Sequence, residues 1–261
     1  MKRLATIVGL GLALVVGAPV GAITFGELDG DGHPWVGALI APWREGGALD
    51  EWCSGTLVAP TVFVTASHCT AGLASRDIGP DDVFVTFDSA FSLAGNLIPG
   101  HYVTNPEYGF SGQGGHSDPH DVAVVLLAWA PPGVTPAQLP THAYLDSLDL
   151  RDQRFTAVGY GTVREDKTKG FQTLFWDPQR RWADQGFMSI TRAWLNLSMN
   201  PSTGNGGTCY GDSGGPHFVG TSNLVVSLTV TGDAPCRATD VTYRLDTDSA
   251  RSFLGQFVTL P

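Results

Sequence analysis

The sequence predicts an all-β fold built from many short strands. Its 261 residues include 33 Gly and 17 Pro, and only 15% of them are charged. This composition is typical of strands joined by tight turns rather than of long helices. Val83, Val85 and Phe87 recur with the period of two that is typical of a half-buried strand. The length corresponds to one large domain or two small ones.

The first 22 residues have the pattern of a secretory signal peptide. A basic start precedes an apolar stretch whose core, residues 7–18, is too short to span a membrane comfortably. Small residues lead up to an expected cut after Ala22. The alternative is an uncleaved anchor. We expect residues 1–22 to be removed and the mature chain 23–261 to be secreted, extracellular and free of the membrane.

The predicted strands fall into two groups separated by a Pro-rich segment. Those of the first group cover residues 34–40, 52–58, 62–65, 83–87 and 122–127. Those of the second group cover residues 155–161, 188–191, 194–198 and 224–230. The Pro-rich segment, residues 131–140, marks the expected boundary between two halves. Residues 109–119 and 164–173 have loop composition.

A serine near the C-terminus lies in a glycine-rich turn. Ser213 follows Asp212 and precedes two glycines, in the segment Gly-Asp-Ser-Gly-Gly. Glycine permits positive φ angles and close approach to the backbone, so such a turn can present a hydroxyl beside several N–H groups. A nucleophile with nearby donors is what acyl transfer requires. Taken alone, the segment is equally typical of a surface turn.

Two upstream residues supply the groups that a serine nucleophile needs. His68 follows an apolar run, residues 61–64, and Asp121 leads directly into the apolar run 122–127. Each is unremarkable alone, as a polar residue after a strand and a turn residue before one. Together, in the order His, Asp, Ser, they indicate a hydrolase in which a base activates a serine hydroxyl.

These three segments resemble those of the chymotrypsin-like (trypsin-fold) serine proteases, and the resemblance extends from about Ile23 to the C-terminus. It implies two six-stranded antiparallel β-barrels packed side by side, with the active site between them and a short C-terminal helix near residues 249–257. The first barrel would cover about residues 23–135 and the second about 140–261.

The resemblance also implies a role for each site residue. Ser213 would be the nucleophile, His68 the general base and acid, and Asp121 the residue that orients His68. The backbone N–H groups of Gly211 and Ser213 would form the oxyanion hole. Ser227 matches a family serine that supports the catalytic acid by a hydrogen bond. The alternative for Ser227 is an ordinary strand residue.

Four cysteines in an exported chain predict two disulfides, for which three connectivities are possible. The resemblance implies the pairs Cys53–Cys69 and Cys209–Cys236. No spacing of His and Cys residues supports a metal site, and the resemblance implies no cofactor.

The pocket that selects the substrate side chain departs from the family pattern. Gly207 stands six residues before Ser213, where trypsin-like members carry an Asp. Thr229 stands where many members have a wall glycine, which should narrow the pocket. Asp240 aligns with another floor position. Either Asp240 supplies a relocated carboxylate for Lys or Arg, or it lies in an exposed turn and the pocket accepts small or medium apolar side chains.

Most members of the family carry a propeptide before the corresponding Ile, but the predicted cut after Ala22 leaves no room for one, so we expect signal cleavage itself to produce the active enzyme. The new α-amino group of Ile23 would pair with Asp212, whose orientation sets that of the oxyanion donors. A carboxylate buried without a cation costs several kcal/mol, which would favour a collapsed loop. The alternative is that processing occurs elsewhere and Ile23 is an apolar linker residue.

Charge and residue order exclude several other classes. The net charge of −10, without any basic run, argues against nucleic acid as a partner. The resemblance implies a monomer acting on proteins or peptides, with protein inhibitors as further partners. A non-catalytic binding protein on this fold usually lacks a residue of the triad. An esterase of different fold would have the order Ser, Asp, His and a Gly-x-Ser-x-Gly elbow.

Overall fold

The structure, a computed structural model, describes residues 23–109, 118–164 and 174–261. The strands of the first half are β1 (Glu27–Leu28), β2 (Val36–Ala41), β3 (Asp50–Ala59), β4 (Val62–Thr65), β5 (Val83–Thr86), β6 (Ile98–Thr104) and β7 (Ala123–Leu127). Those of the second half are β8 (Arg154–Gly159), β9 (Thr162–Val163), β10 (Phe175–Trp176), β11 (Arg181–Ile190), β12 (Trp194–Ser198), β13 (Pro216–Val219), β14 (Val225–Gly232) and β15 (Thr239–Arg244). The helices are α1 (Ser67–Ala74) and α2 (Asp248–Leu254). Neither is long and apolar enough to cross a membrane.

The strands close into two six-stranded antiparallel barrels. The first has the order β2-β3-β4-β7-β6-β5. In the second, the order β11-β12-β15-β14-β13-β8 is closed by pairing between β8 and β11. Closure leaves no unpaired strand edge within a barrel. The predicted fold class, including the short C-terminal helix, is confirmed.

The N-terminal segment belongs to the second barrel, so the predicted start of the first barrel at residue 23 is wrong. β1 pairs with β11, and Thr24 forms an isolated antiparallel bridge with Gly207. The strands of the first barrel begin only at Val36. The segment is too short to show strand periodicity, which is why its pairing could not be predicted.

Apolar side chains fill each barrel and the seam between the two. The interior of the first barrel includes Leu39, Leu57 and Phe63, all fully buried. A larger cluster at the seam joins residues of both halves, such as Val64 and Phe218. Fully burying a side chain of this kind contributes about 1.5–3 kcal/mol. The seam is therefore a packed surface that fixes the loops lying above it.

A buried arginine also links the two barrels. Arg180, only 1% exposed, donates to Asp29 Oδ2 at 2.7 Å and to the carbonyl oxygen of Gly30 at 2.7 Å. Its guanidinium further donates to the carbonyl oxygens of Val36 at 3.0 Å and Phe87 at 2.9 Å. One side chain thus holds the N-terminal segment and two strand ends of the first barrel against the second barrel.

Most predicted strands are present, within about two residues of their predicted ends. β4 and β12 have the predicted boundaries. Seven elements were not predicted: α1, β1, β6, β9, β10, β13 and β15. The predicted signal peptide and most of the two predicted loops lie outside the described residues.

Candidate active site

His68 and Asp121 are joined by two hydrogen bonds. α1 starts at Ser67, directly after β4, and places His68 in its first turn. The backbone N–H of His68 donates to Asp121 Oδ1 at 2.8 Å, and its ring nitrogen Nδ1 lies 2.8 Å from Oδ2. The Asp121 side chain is fully buried, whereas that of His68 is 26% exposed. Asp121 therefore fixes the orientation of an imidazole that reaches the surface.

A second set of contacts holds Asp121 in place. The Ser67 hydroxyl donates to the carbonyl oxygen of Val122 at 2.8 Å and accepts from the N–H of Asn105 at 3.2 Å. These bonds join the start of α1 to Val122, which follows Asp121 in the chain, and to Asn105. Tyr108 is a neighbour of the Asp121 carboxylate. Burial and the negative charge of Asp121 raise the pKa of Tyr108 to about 12.

The Ser213 loop packs against the strand that leads to His68. The carbonyl oxygen of Ser213 accepts from the N–H of Ser54 at 2.9 Å. Gly214 has a φ of +76°, and a Cβ at this position would lie 2.7 Å from Ala66 N. Only glycine fits this approach. The loop and the His68 segment therefore meet at the seam of the barrels.

The hydroxyl of Ser213 forms no hydrogen bond with His68 in the described part of the chain. Catalytic hydrogen bonds are often long in the absence of substrate and tighten only in the substrate complex. The Ser213 loop and the His68 segment are brought together by backbone contacts, and not by a hydrogen bond between the side chains of Ser213 and His68.

Two backbone donors of the Ser213 loop are unoccupied. Among the described residues, no protein group accepts from the N–H of Gly211 or of Ser213. The N–H of Asp212, between them, donates to the carbonyl oxygen of Cys209 at 3.1 Å. Gly211 has a φ of +98°, a conformation that favours glycine. The loop thus offers two N–H groups that could bind an anionic oxygen.

Asp212 is a fully buried carboxyl group whose hydrogen bonds come from backbone N–H groups. Gly161 N–H donates to Oδ1 and Cys209 N–H donates to Oδ2, each at 2.9 Å. Burial raises the pKa of Asp212 to about 7, and the negative charge of Asp240 adds to the shift. Among the described residues, no cationic side chain pairs with it. Within the described part of the chain, Asp212 therefore lacks a compensating positive charge.

The segment after residue 22 is seated beside this loop. Ile23 is fully buried and packs against Ala157 and Ala183. The N–H of Gly207 donates to the carbonyl oxygen of Thr24 at 2.9 Å. The Thr24 hydroxyl lies within hydrogen-bond distance of the carbonyl oxygens of Gly207, at 3.0 Å, and Cys236, at 2.9 Å. Ile23 is thus part of the core, not an exposed linker residue.

The sequence analysis missed a second buried acid near the loop. Glu51 Oε2 accepts from Trp176 Nε1 at 2.5 Å, and Oε1 has no partner among the described residues. A Cβ on Gly211 would lie 2.9 Å from that free oxygen. Burial raises the pKa of Glu51 well above its usual value, with the charge of Asp212 adding to the shift. No pattern in the sequence indicated it clearly, because Glu51 follows Asp50 at the start of β3 and could equally be exposed.

Both disulfides have the connectivity that the resemblance implied. Cys53 pairs with Cys69, which ties β3 to the residue after His68. Cys209 pairs with Cys236, which ties the Ser213 loop to the segment after β14. Atoms of Cys53, His68 and Cys69 lie within 4.8 Å of one another. Since both sulfurs are oxidised to a disulfide, this group offers no thiolate to a metal.

Ser227 does not support Asp121. Its hydroxyl accepts from Thr242 Oγ1 at 2.8 Å, and no hydrogen bond joins Ser227 to Asp121 in the described part of the chain. β14 and β15 place Ser227 opposite Arg244, inside the second barrel. The alternative interpretation, an ordinary buried strand residue, agrees with this placement.

A cavity of about 210 Å³ opens beside Ser213. Its other lining residues are Thr208, Cys209, Tyr210, Thr229, Val230, Thr231, Gly232, Asp233, Ala234 and Cys236. Thr229 lines this cavity as predicted, but Gly207 and Asp240 do not. Asp240 is fully buried, and its Oδ2 lies 2.9 Å from both Gln185 Nε2 and His217 Nε2. Asp240 therefore lies in a buried strand rather than in an exposed turn, and a role at the pocket floor stays a prediction.

Two antiparallel barrels with a histidine, an aspartate and a serine loop at their seam define the chymotrypsin-like serine proteases. The family model for trypsin matches residues 29–249, and the chain belongs to the trypsin family. A trypsin of Saccharopolyspora erythraea is 28% identical over 211 residues, which cover 78% of this chain and 84% of that protein.

Two further relatives have more distant similarity. The CLIP domain-containing serine protease B8 of Anopheles gambiae is 26% identical over 143 residues, which cover 48% of this chain and 32% of that protein. The solved structure of HL collagenase superposes with a TM-score of 0.66 at 17% identity, and covers 89% of this chain and 97% of that structure. At this identity the superposition shows the fold alone.

Proposed function

We propose that the protein is a secreted serine endopeptidase that uses His68, Asp121 and Ser213 as its catalytic triad. The proposal rests on two 2.8 Å hydrogen bonds in which Asp121 accepts from the backbone N–H of His68 and pairs with its ring nitrogen Nδ1. Both residues lie beside the Ser213 loop. A buried acid that orients a surface imidazole next to a serine is the arrangement needed to activate a hydroxyl.

In the first half of the reaction, Ser213 Oγ attacks the carbonyl carbon of the scissile peptide bond. His68 Nε2 takes the hydroxyl proton and then donates it to the leaving amine nitrogen as the C–N bond breaks. Asp121 stabilises the imidazolium that forms between these steps. Water then attacks the acyl-enzyme with His68 again as base, and Ser213 is released with its proton restored.

The free N–H groups of Gly211 and Ser213 would bind the oxygen that becomes negative in the tetrahedral intermediates. Their lack of protein acceptors supports this role. Removing one donor of an oxyanion hole typically raises the barrier by about 2.7–4 kcal/mol. The role depends on the loop conformation, and hence on Asp212 between the two donors.

The same proposal covers export and activation. Residues 1–22 would direct export of the chain. Their removal would leave a free α-amino group on Ile23, and this positive charge would neutralise Asp212. The burial of Ile23 and the bonds of Thr24 to Gly207 support this step. Two disulfides agree with an oxidising compartment. The expected substrates are proteins or peptides, cleaved by a monomer.

The test is whether Ser213 reacts as an activated nucleophile. The purified mature protein is treated with an organophosphorus acylating agent, and the labelled peptide is identified by mass spectrometry. We expect labelling of Ser213, and its loss in the His68→Ala and Ser213→Ala variants. Ser75→Ala, which changes an exposed serine hydrogen-bonded to Gly72, is the matched control and should label normally. A protein that hydrolyses no peptide and resists the agent would be a binding protein instead.

A further inference from the structure

Met199 is buried directly behind residues that line the cavity beside Ser213. Its side chain is 1% exposed. A Cβ added to Gly207 would overlap the Met199 Cγ and Sδ atoms, and a Cβ added to Gly232 would lie 3.6 Å from Met199 Cε. The Thr208 hydroxyl lies 3.9 Å from the Met199 sulfur. Thr208 and Gly232 both line the cavity, so the Met199 side chain lies behind two of its lining residues.

A carboxylate lies behind the same two glycines. Asp240 is paired with Gly232 across β14 and β15. Gln185, which donates to Asp240 at 2.9 Å, would lie 2.7 Å from a Cβ on Gly207. Asp240 is fully buried, and its Oδ1 has no partner among the described residues. An acceptor that could bind a cation is therefore present under the cavity but does not line it.

We propose that Met199 is the floor of the specificity pocket and seals Asp240 beneath it, so that the enzyme cleaves after small or medium uncharged residues. This proposal rests on the proposed function. Above the floor, a substrate side chain meets threonine methyl groups, Val230 and a disulfide, and it meets no free carboxylate at the bottom. Asp233 lines the cavity, but its carboxylate accepts from the N–H groups of Arg237, Ala238 and Thr239.

Discrimination follows from the chemistry of the floor. An ammonium or guanidinium group that enters the cavity would lose water, which is costly. The carboxylate that lines the cavity, that of Asp233, is already engaged by three backbone N–H groups and offers such a group little compensation. An apolar side chain loses little, and each methylene that fits contributes about 10- to 200-fold in kcat/KM. We expect cleavage after residues from Ala to Leu, and values of kcat/KM at least 100-fold lower after Lys or Arg.

The first experiment profiles the mature enzyme on a mixed peptide library, with the Ser213→Ala variant as the blank. The second shortens the floor. Met199→Ala should open the cavity onto Asp240 and raise cleavage after Lys and Arg by at least 10-fold. Adding Asp240→Asn to that variant should remove the gain. Met188→Ala, which makes the same change at a 51% exposed methionine, is the matched control and should keep the wild-type profile.

Acylation of Ser213 by a small organophosphorus agent separates this proposal from the proposed function, because the agent does not need the pocket. If wild-type Ser213 is inert and no peptide is cleaved, the proposed function fails. If Ser213 is acylated and the wild type cleaves after Lys or Arg, the sealed floor is wrong. It is also wrong if Met199→Ala is acylated at the wild-type rate and has an unchanged profile. Should Met199→Ala fail to fold, Met199→Val gives the same test with a smaller opening.

Discussion

Asp29 and Asp212 are both buried aspartates, but their surroundings shift their pKa values in opposite directions. Asp29, at the junction of the barrels, contacts His33 Nδ1 at 2.5 Å and Arg180 Nε at 2.7 Å. Burial acts to raise the pKa of Asp29, but these hydrogen bonds and the adjacent positive charges lower it overall. Asp212, in the Ser213 loop, has only backbone donors, and burial raises its pKa to about 7.

The difference teaches that backbone hydrogen bonds alone do not compensate a buried carboxylate. The junction is complete in the uncleaved chain, since Arg180 supplies the cation. The Ser213 loop has no such cation beside Asp212 among the described residues. Under the proposed function, the α-amino group of Ile23 would supply it. The following predictions test this contrast, starting with the largest expected effect.

The first prediction concerns the residue before Ile23. A protein that retains one extra Ala at this point cannot place an amino group beside Asp212. We expect its kcat/KM to fall roughly 10²- to 10³-fold, because an uncompensated buried carboxylate costs several kcal/mol. The measurement compares this protein with one that begins at Ile23. N-terminal sequencing of the active secreted protein provides the check: full activity with a different first residue would contradict the model.

The second prediction concerns the cation at the junction. Arg180→Met removes the arginine that pairs with Asp29 and leaves the Asp29 carboxylate buried, with His33 as its remaining side-chain partner. We expect the free energy of unfolding to fall by about 3–5 kcal/mol. It is measured by urea denaturation in the Ser213→Ala background, which prevents self-digestion. Arg192→Met, at an exposed arginine, should stay within about 0.5 kcal/mol. Equal effects of the two changes would refute the role of the buried pair.

The third prediction concerns pH. The pKa of Asp212 rises from an ordinary 3.8 to about 7 on folding of the uncleaved chain. The folded state therefore binds more protons than the unfolded state between these values, and its stability falls as pH rises through this window. The loss attributable to Asp212 is up to about 4 kcal/mol.

Denaturation at pH 5 and pH 8 measures the part of this loss that falls above pH 5, about 3 kcal/mol, in an uncleaved Ser213→Ala protein. Asp212→Asn should remove most of the decline, and the protein that begins at Ile23 should show less of it. Asp29 has the opposite sign: its lowered pKa contributes stability above about pH 4 that is lost in stronger acid. If the uncleaved protein, its Asp212→Asn variant and the protein that begins at Ile23 all had the same pH dependence, the loss could not be assigned to Asp212.

The fourth and smallest effect is expected for Glu51. Glu51→Gln keeps an oxygen that can accept from Trp176 and removes a second buried acid beside Gly211. We expect the free energy of unfolding at pH 8 to rise by about 1 kcal/mol, because the charged form of this group is disfavoured by burial. Glu45→Gln, at an exposed glutamate, serves as the control and should have no comparable effect.

Local patterns allowed much of the fold and site to be predicted. β4 and β12 alternate or run apolar over their whole length, and the segments around His68, Asp121 and Ser213 each have a local signature. The rest depends on contacts between distant residues. β6 contains Pro99 and was not recognised, since proline is rare inside strands.

The pocket shows the same limit. Asp240 aligned with a floor position, but whether it reaches the cavity depends on Met199, and its partners Gln185 and His217 come from two other strands. No spacing in the sequence links these residues. The hydroxyl of Ser227 likewise has its partner, Thr242, on a neighbouring strand.

The hydrogen bonds of Thr24 connect the segment after residue 22 to the wall of the cavity. Its hydroxyl lies within reach of the carbonyl oxygens of Gly207 and Cys236, and Cys236 lines the cavity. Binding at one of two coupled sites must change affinity at the other by the same factor. Under the proposed processing, we expect a tight ligand of the cavity also to stabilise the bound N-terminal segment, and to slow chemical acylation of the Ile23 amino group.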